Sequence, residues 1–403
     1  MDEIGRAYLR LALGIERHFE GFVDAYFGPA ELRREVDKGE PRALEALVED
    51  GEALLRQVAG GVTDAQRRDF LERQVGAMAA VAGSLAGERL DFMEEVRHYF
   101  DIIPEMVDEA VFEAAHAELD ALVPGDGALV ERMAAWRKGL ELAEERVMPV
   151  FERARDETRR RTLALFDLPE GEELTLELVK NQPWSAYNWY LGDYRSRIEV
   201  NTDLPVRVDS AVPLMAHEAY AGHHTEHAIK EQRLYRDEGR GEHGVQLLLA
   251  PECVLSEGIA DSARQMVLPD DELEAFLHDE LYPLAGLPAS EVARQVAIHR
   301  ASEGLRGVSG NAALLLHRDG WSAEDVQAYL EKWALRTPQE AAKSLSFVQN
   351  PLFRSYVFNY ALGKELIAPL LEGADAVENF RRLLSEPFTP SQVRAWVAGG
   401  ATP

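Results

Sequence analysis

Four of the chain's eleven histidines, His217, His223, His224 and His227, stand in one short stretch that also holds Glu218 and Glu226. Imidazole nitrogens and carboxylate oxygens this dense, beside the apolar Leu214, Met215 and Ala216, point to a divalent metal site rather than a solvated surface. Further on, Glu257 and Asp261 stand at i and i+4, on one face of a helix expected over Pro251 to Met266. Glu257 suits a third metal ligand. Asp261 suits a carboxylate that accepts a hydrogen bond from the remote nitrogen of a ligand histidine and so orients it. A His, His, Glu set with an open fourth position is the hydrolytic form of a zinc site, and one zinc per chain is the expectation. The single cysteine, Cys253, leaves no room for a thiolate-rich metal site or an intramolecular disulfide.

The spacing inside the cluster constrains the backbone. In a His-Glu-x-x-His helix the two imidazoles share a face, and the Glu serves as general base toward metal-activated water. Here His217-Glu218 is followed by histidines only at 223 and 224. On an unbroken helix, residues six apart differ by about 120° and about 9 Å of rise, too far for one ion. Gly222 offers a break that draws His223 or His224 back toward His217, and the spacing does not choose between those two. A second reading is the inverted pattern His223, Glu226, His227, which is regular on a helix but leaves His217 and Glu218 idle. The first reading is preferred, with Glu218 as base and His227 a bystander. Donors for a developing oxyanion are sought in Arg354, Tyr356, Tyr360 and His317, although Tyr356 and Tyr360 also belong to an aromatic run with Phe353 and Phe358 that core packing would explain. An extended Ser196 to Thr202 edge is expected to hold a peptide by main-chain hydrogen bonds.

The elements that must position these groups read mainly as helix. Apolar periodicity predicts helices over Ile4 to Tyr26, Ala43 to Leu55, Thr63 to Leu85 and Val107 to Ala121, then a long one over Gly127 to Phe166 kinked or divided at Pro149. Beyond the cluster, helices are expected over Asp271 to Tyr282, Ala289 to His317, Ser322 to Leu335, Pro338 to Phe347, Leu352 to Leu371 and Ala376 to Leu384. Glu173 to Val179 and Ser196 to Leu204 carry β-branched residues or alternation and read as extended. The expected architecture is one large, mainly α domain over 1–403 with a minor β element. A sub-domain boundary, if there is one, falls near 167–183, where Pro169, Gly171 and Pro183 cluster, with a helical N-terminal region over 1–170 and a metal-site region over 184–403.

Composition bounds the partners. The 71 acidic and 43 basic residues give a formal charge of -28, which argues against nucleic acid and against anionic lipid. The start of the chain has no basic region followed by an apolar run, and no stretch is apolar enough for a membrane helix, so a cytoplasmic location is expected.

These motifs resemble the bacterial family called domain of unknown function 885, whose members are similar to helical zinc peptidases of the gluzincin type. The family's His-Glu-x-x-Pro-Gly-His-His is met by His217, Glu218, Gly222, His223 and His224, and its Glu-Gly-Trp-Ala by Glu257, Gly258 and Ala260. Further echoes are Asp24-Ala25-Tyr26-Phe27-Gly28-Pro29 and Tyr360-Ala361-Leu362-Gly363-Lys364, so the likeness spans nearly the whole chain. The resemblance implies a large helical gluzincin-like metallopeptidase fold, with its β element beside the active-site cleft, acting on a peptide or small amide. Departures are Ala221 in place of proline, Thr225-Glu226 in place of Leu-Gln and Ile259 in place of Trp. They motivate the alternative, a catalytically inactive helical protein that binds or scaffolds on a peptidase-like fold. A carboxylate-bridged di-metal oxidase would need more Glu-x-x-His pairs than the cluster supplies.

Overall fold

The computed structural model describes residues 1–182 and 184–399; Pro183, one mark of the expected boundary, lies outside the described residues. Among the described residues helices dominate, and five short strands accompany them: β1 (Val23–Tyr26), β2 (Glu173–Val179), β3 (Ala186–Gly192), β4 (Arg195–Asn201) and β5 (Val245–Leu247). The first helix, Glu3–Glu16, is capped by the Asp2 carboxylate accepting from the Gly5 N–H, and it buries Tyr8, Leu9, Leu11, Ala12, Leu13 and Ile15. It stops ten residues short of the expected Tyr26. Gly21 turns the chain with φ 88°, and Val23 and Ala25 then alternate with half-buried neighbours, so the segment becomes β1 and pairs antiparallel with β5. A four-residue strand whose partner lies more than two hundred residues away leaves no local signature.

The expected helix over Gly127 to Phe166 is divided, but not at Pro149. It runs as Leu129–Lys138 and Glu144–Leu165, and Pro149 sits inside the second piece. The break falls where the backbone of residues 140–142 pairs with that of residues 206–208, Leu142 N–H donating to Val206 O (2.8 Å) and Val208 N–H to Leu140 O (3.0 Å). These tertiary bonds replace the helical ones that residues 139–143 give up. The expected helix Ala289 to His317 likewise divides into Val292–Ser302 and Val308–His317, and the expected Leu352 to Leu371 begins its regular turns only at Phe358.

The larger sheet has the order β2-β4-β3, with β2 parallel and β3 antiparallel to the central β4. A two-residue turn joins β3 to β4, with Asp193 and Tyr194 both left-handed at φ 55° and 59°, the geometry that matches strand twist in a tight hairpin. Ser196, Ile198 and Val200 of β4 are buried against the helices beneath.

Two large apolar clusters form the interior, and the helix Pro251–Val267 runs between them, giving Val254 to one and Leu255, Ile259, Ala263 and Val267 to the other. The helix Phe358–Ile367 crosses it backbone to backbone at Gly258 and Gly363. A Cβ on Gly258 would lie 2.6 Å from the Gly363 carbonyl carbon, and one on Gly363 would lie 2.9 Å from the Gly258 nitrogen. This crossing fixes the height of Glu257 relative to Tyr356 and Tyr360. Gly258→Ala is expected to destabilise the chain by about 1–3 kcal/mol through overpacking, read from chemical denaturation midpoints. An unchanged midpoint would mean the crossing is slack.

Candidate metal centre

The helix Val208–Glu218 ends one residue after His217, and a new helix, His223–Lys230, begins with His223. Between them Ala219–Gly222 double the chain back. Thr225 N–H and its hydroxyl both reach Ala219 O (3.3 and 3.2 Å), and the Tyr220–Ala221 peptide bond is cis. Gly222 is required by close approach: a Cβ there would lie 2.6 Å from the carbonyl carbon of His217 and overlap its oxygen. The break brings the His217 and His223 rings to 4.8 Å, mutually perpendicular.

Glu257 faces both rings. His217 Nε2 lies 3.5 Å from Glu257 Oε2, and His223 Nε2 lies 3.7 Å from Glu257 Oε1. Two ligand atoms each about 2.0–2.1 Å from a tetrahedral ion stand roughly 3.3 Å apart, so the three groups fit one ion with little adjustment. The opposite ring nitrogens are already engaged. His217 Nδ1 meets Asp261 Oδ1 at 3.0 Å, and His223 Nδ1 meets Ser256 Oγ at 3.1 Å. Ser256 gives its own proton to Glu226 Oε2 (2.6 Å), so His223 Nδ1 must be the donor to Ser256, and Asp261 as a carboxylate makes His217 Nδ1 a donor too. Nε2 is thereby the atom each ring presents to a cation, which on His217 would take the place of a proton. Glu257 Oε2 is buried with no hydrogen-bond partner, while Oε1 accepts from the Tyr356 hydroxyl at 2.6 Å. A buried carboxylate with one oxygen unpartnered among the described residues, its two oxygens each facing an imidazole, is what a metal site looks like from the protein side.

The electrostatics agree. Burial pushes Glu257 up to about 7, with Asp261 and Glu218 adding to the rise against His217 and Tyr356. Burial also raises Glu218, helped by Asp24 and Asp261. Burial alone would lower His217, but the hydrogen bond to Asp261 and the charges of Glu218, Glu257 and Asp261 raise it to about 10, whereas burial and His217 hold His223 well below the ordinary imidazole range. The pocket holds more negative than positive charge and favours a cation. Arg306 supports it from outside, donating to Asp261 Oδ2 at 2.6 Å.

The inverted group is also assembled, since ligand atoms of His223, Glu226 and His227 lie within 4.8 Å of one another. Its carboxylate is already spent: Lys230 Nζ donates to Glu226 Oε1 (2.7 Å) and Ser256 to Oε2. Of the two adjacent histidines, His223 joins the metal group and His224 does not. His224 is fully buried on the far side, its Nδ1 on Ser196 Oγ (2.8 Å) and Nε2 on Glu172 Oε2 (3.0 Å). Neighbouring residues on a helix point about 100° apart, so one faces the ion and the other the sheet. Glu172 also accepts from Tyr220 (2.8 Å) and Arg159 (2.6 Å), so the loop is clamped to β4 by a closed polar network.

Among the expected oxyanion donors, Tyr356 and Tyr360 come to the site and the other two do not. Tyr360 packs edge-on against Tyr356 at 5.7 Å, and burial with the charges of Glu257, Asp261 and Glu218 keeps its phenol protonated well above the ordinary range. Arg354 is committed to Glu95 through two hydrogen bonds, because its segment turns rather than continuing the helix of Tyr360. His317 ends a different helix, bonds Val348 O at 2.7 Å and packs on the Phe92 ring. The expected peptide-binding edge is also corrected. β4 is central and both its edges are paired, whereas β3 is the outer strand beside the base, Asn188 Nδ2 donating to Glu218 O at 2.6 Å. Ser256, Arg306 and Asn188 were not singled out in the sequence, and none stands at a spacing that would mark it. The departures Ala221, Thr225 and Ile259 are each fully buried.

Two outcomes follow from this geometry. Asp261→Asn is expected to weaken divalent-metal binding about 10–100-fold, measured by chelator competition, because the carboxylate orients His217. Glu172 is held down at about 2: burial opposes this, and the hydrogen bonds from His224, Arg159 and Tyr220 outweigh it. A depressed carboxyl stabilises the fold above its unfolded value, about 4.3, and that stability is lost as pH falls toward 2. Glu172→Gln should therefore flatten the stability profile between those limits, and an unaltered acid limb would rule the network out as its source.

No family model and no curated protein matches the chain. Among solved structures, the chain is similar to a candidate lipoprotein from Colwellia psychrerythraea, with a TM-score of 0.54 at 14% identity over 91% of this chain and 68% of that one. It is also similar to a candidate lipoprotein of unknown function from Shewanella oneidensis, with a TM-score of 0.49 at 12% identity over 91% of this chain and 76% of that one. A third likeness is to an M32 carboxypeptidase from Deinococcus radiodurans R1, with a TM-score of 0.43 at 13% identity over 99% of this chain and 95% of that one. The chain therefore shares its helical fold with the Colwellia protein, and it carries within that fold a His, His, Glu group able to hold a divalent metal.

Proposed function

We propose that this chain is a zinc-dependent hydrolase of peptide or related amide bonds. The observation that carries the reading is the buried, unpartnered Glu257 Oε2 aimed at His217 Nε2, with His223 Nε2 completing the set and Glu218 next to His217 in the chain. Two imidazoles and a carboxylate without thiolate suit zinc, and the resemblance of the motifs to gluzincin-type peptidases supports the same choice. Bound there, such an ion would polarise the substrate carbonyl and lower the pKa of water.

The chain's own residues supply the rest. Glu218 accepts the proton of the attacking water and returns it to the leaving nitrogen as the C–N bond breaks. A carboxyl whose affinity for a proton is raised by burial suits both halves of that exchange. Tyr356 holds Glu257 through its hydroxyl, and the protonated Tyr360 beside it is the donor for the developing oxyanion. The outer strand β3 offers main-chain groups to an extended substrate.

Glu218→Gln is expected to lower kcat/KM on a cleaved peptide by about 10²–10⁴-fold while the protein keeps about one zinc per chain and its circular dichroism. Metal content by mass spectrometry and single-turnover hydrolysis check both halves. Full activity in that variant would end the general-base assignment.

A further inference from the structure

Beside the metal group lies a carboxylate that the hydrolytic chemistry does not use. Asp24 belongs to β1, only partly covered, and among the described residues its side chain has one hydrogen-bond partner, the hydroxyl of Tyr187 on β3. Among the described residues no lysine, arginine or histidine pairs with it, and burial lifts it to about 6 against the Tyr187 hydrogen bond. Several buried carboxylates elsewhere in this protein have cations: Glu157 has Arg153, Arg160 and Arg161, Glu242 has Arg67, Glu95 has Arg354, and Glu226 has Lys230. A half-covered carboxylate with no counter-charge among the described residues is open to one from outside.

Its position gives that counter-charge a use. The Asp24 charge raises Glu218, and the charges of Glu218 and Tyr360 raise Tyr187, so the pair stands within the field of the proposed base and oxyanion donor. Asn188, next along β3 from Tyr187, is hydrogen-bonded to the Glu218 carbonyl. The Tyr187 ring is flanked by Trp184 at 4.9 Å and Trp189 at 4.8 Å, and both indole N–H groups are buried without a partner. Aromatic faces attract cations within about 6 Å of the ring, and the Trp189 ring already takes the Arg197 guanidinium at 5.9 Å, so the wall is of a kind that accepts a cation.

We propose that Asp24 and Tyr187, backed by Trp184 and Trp189, form a subsite beside the metal group that binds an ammonium group of the substrate. Tyr187 occupies one carboxylate oxygen and sets its orientation; the other receives the ammonium. The subsite's role toward a substrate rests on the hydrolase reading of the adjoining metal group. The shared chemistry is an alkylammonium, supplied by a free amino terminus or by a lysine-like side chain.

The full-length, zinc-loaded protein is titrated calorimetrically with three probes: L-alaninamide for a free amino terminus, Nα-acetyl-lysinamide for a side-chain ammonium, and N-acetylalaninamide as the neutral control. One ammonium probe is expected to bind and the neutral one not to, and Asp24→Asn is expected to weaken the bound probe about 30-fold or more. Which ammonium probe binds identifies the source. Equal binding of the neutral probe, no binding of either ammonium, or undiminished binding in Asp24→Asn, as an amine ligating the zinc itself would give, overturns the subsite. Should Asp24→Asn fail to fold, the charged and neutral probes are compared on the same unaltered chain stripped of metal by a chelator, where no amine can ligate zinc: retained preference for the ammonium keeps the subsite, and its loss overturns it. A protein that binds the ammonium through Asp24 but cleaves no amide keeps the subsite and loses the hydrolase reading; one that cleaves amides but binds neither ammonium does the reverse.

Discussion

Everything at the centre depends on the four residues Ala219–Gly222, where one helix stops and the next starts with its axis redirected. The separation of His217 and His223 in sequence is wrong for a continuous helix, and only a doubled-back chain brings their rings to 4.8 Å. That path is tight enough that Gly222 lies against the His217 carbonyl, so the small residue is a requirement of contact. Its direction is then held by the Glu172 network, which joins Tyr220, His224 and Arg159 beneath the sheet. His224, beside a metal ligand in sequence, serves the scaffold.

The carboxylate half of the site depends on an equally close contact of another kind. Glu257 sits on a helix passing between two apolar clusters, and the glycine crossing at Gly258 and Gly363 lets the helix Phe358–Ile367 approach until Tyr356, in the turn before it, reaches Glu257 Oε1. Oε1 is thereby fixed with His223 Nε2 beside it, and Oε2 is left facing His217 Nε2. Three carboxylates, Glu218, Glu257 and Asp261, share this small volume with Arg306 as the outer counter-charge. Such an arrangement is strained by its own charge until a cation arrives, which is the ordinary relation between a preorganised metal pocket and its ion.

The wall of β1 and β3 turns a metal pocket into a site with sides. β3 borders the base through Asn188, and its aromatic face meets Asp24 from a strand near the beginning of the chain. Residues 24, 187, 218, 257 and 360 thus converge from five separate elements. On the proposed reading the metal group carries the chemistry and this wall the selectivity, and the two are free to vary independently.

The sequence by itself determined the helical class, the ligand candidates and the need for a break. Periodicity, caps and the His217, Gly222, His223 spacing are local quantities, and a carboxylate pair at i and i+4 on a predicted helix is as well. Caps such as Ser322 and Thr337 begin helices close to where they were expected for the same reason. Tertiary structure decided what local pattern cannot carry. It chose His223 over His224, since the two differ only in which way a redirected helix turns them. It sent Arg354 and His317 to Glu95 and Val348, placed β4 in the middle of its sheet, and divided the helix expected over 127–166 at residues 139–143 rather than at Pro149. Each of those outcomes depends on a partner distant in the chain, and hydrogen bonds to distant partners leave no trace in the spacing of neighbours.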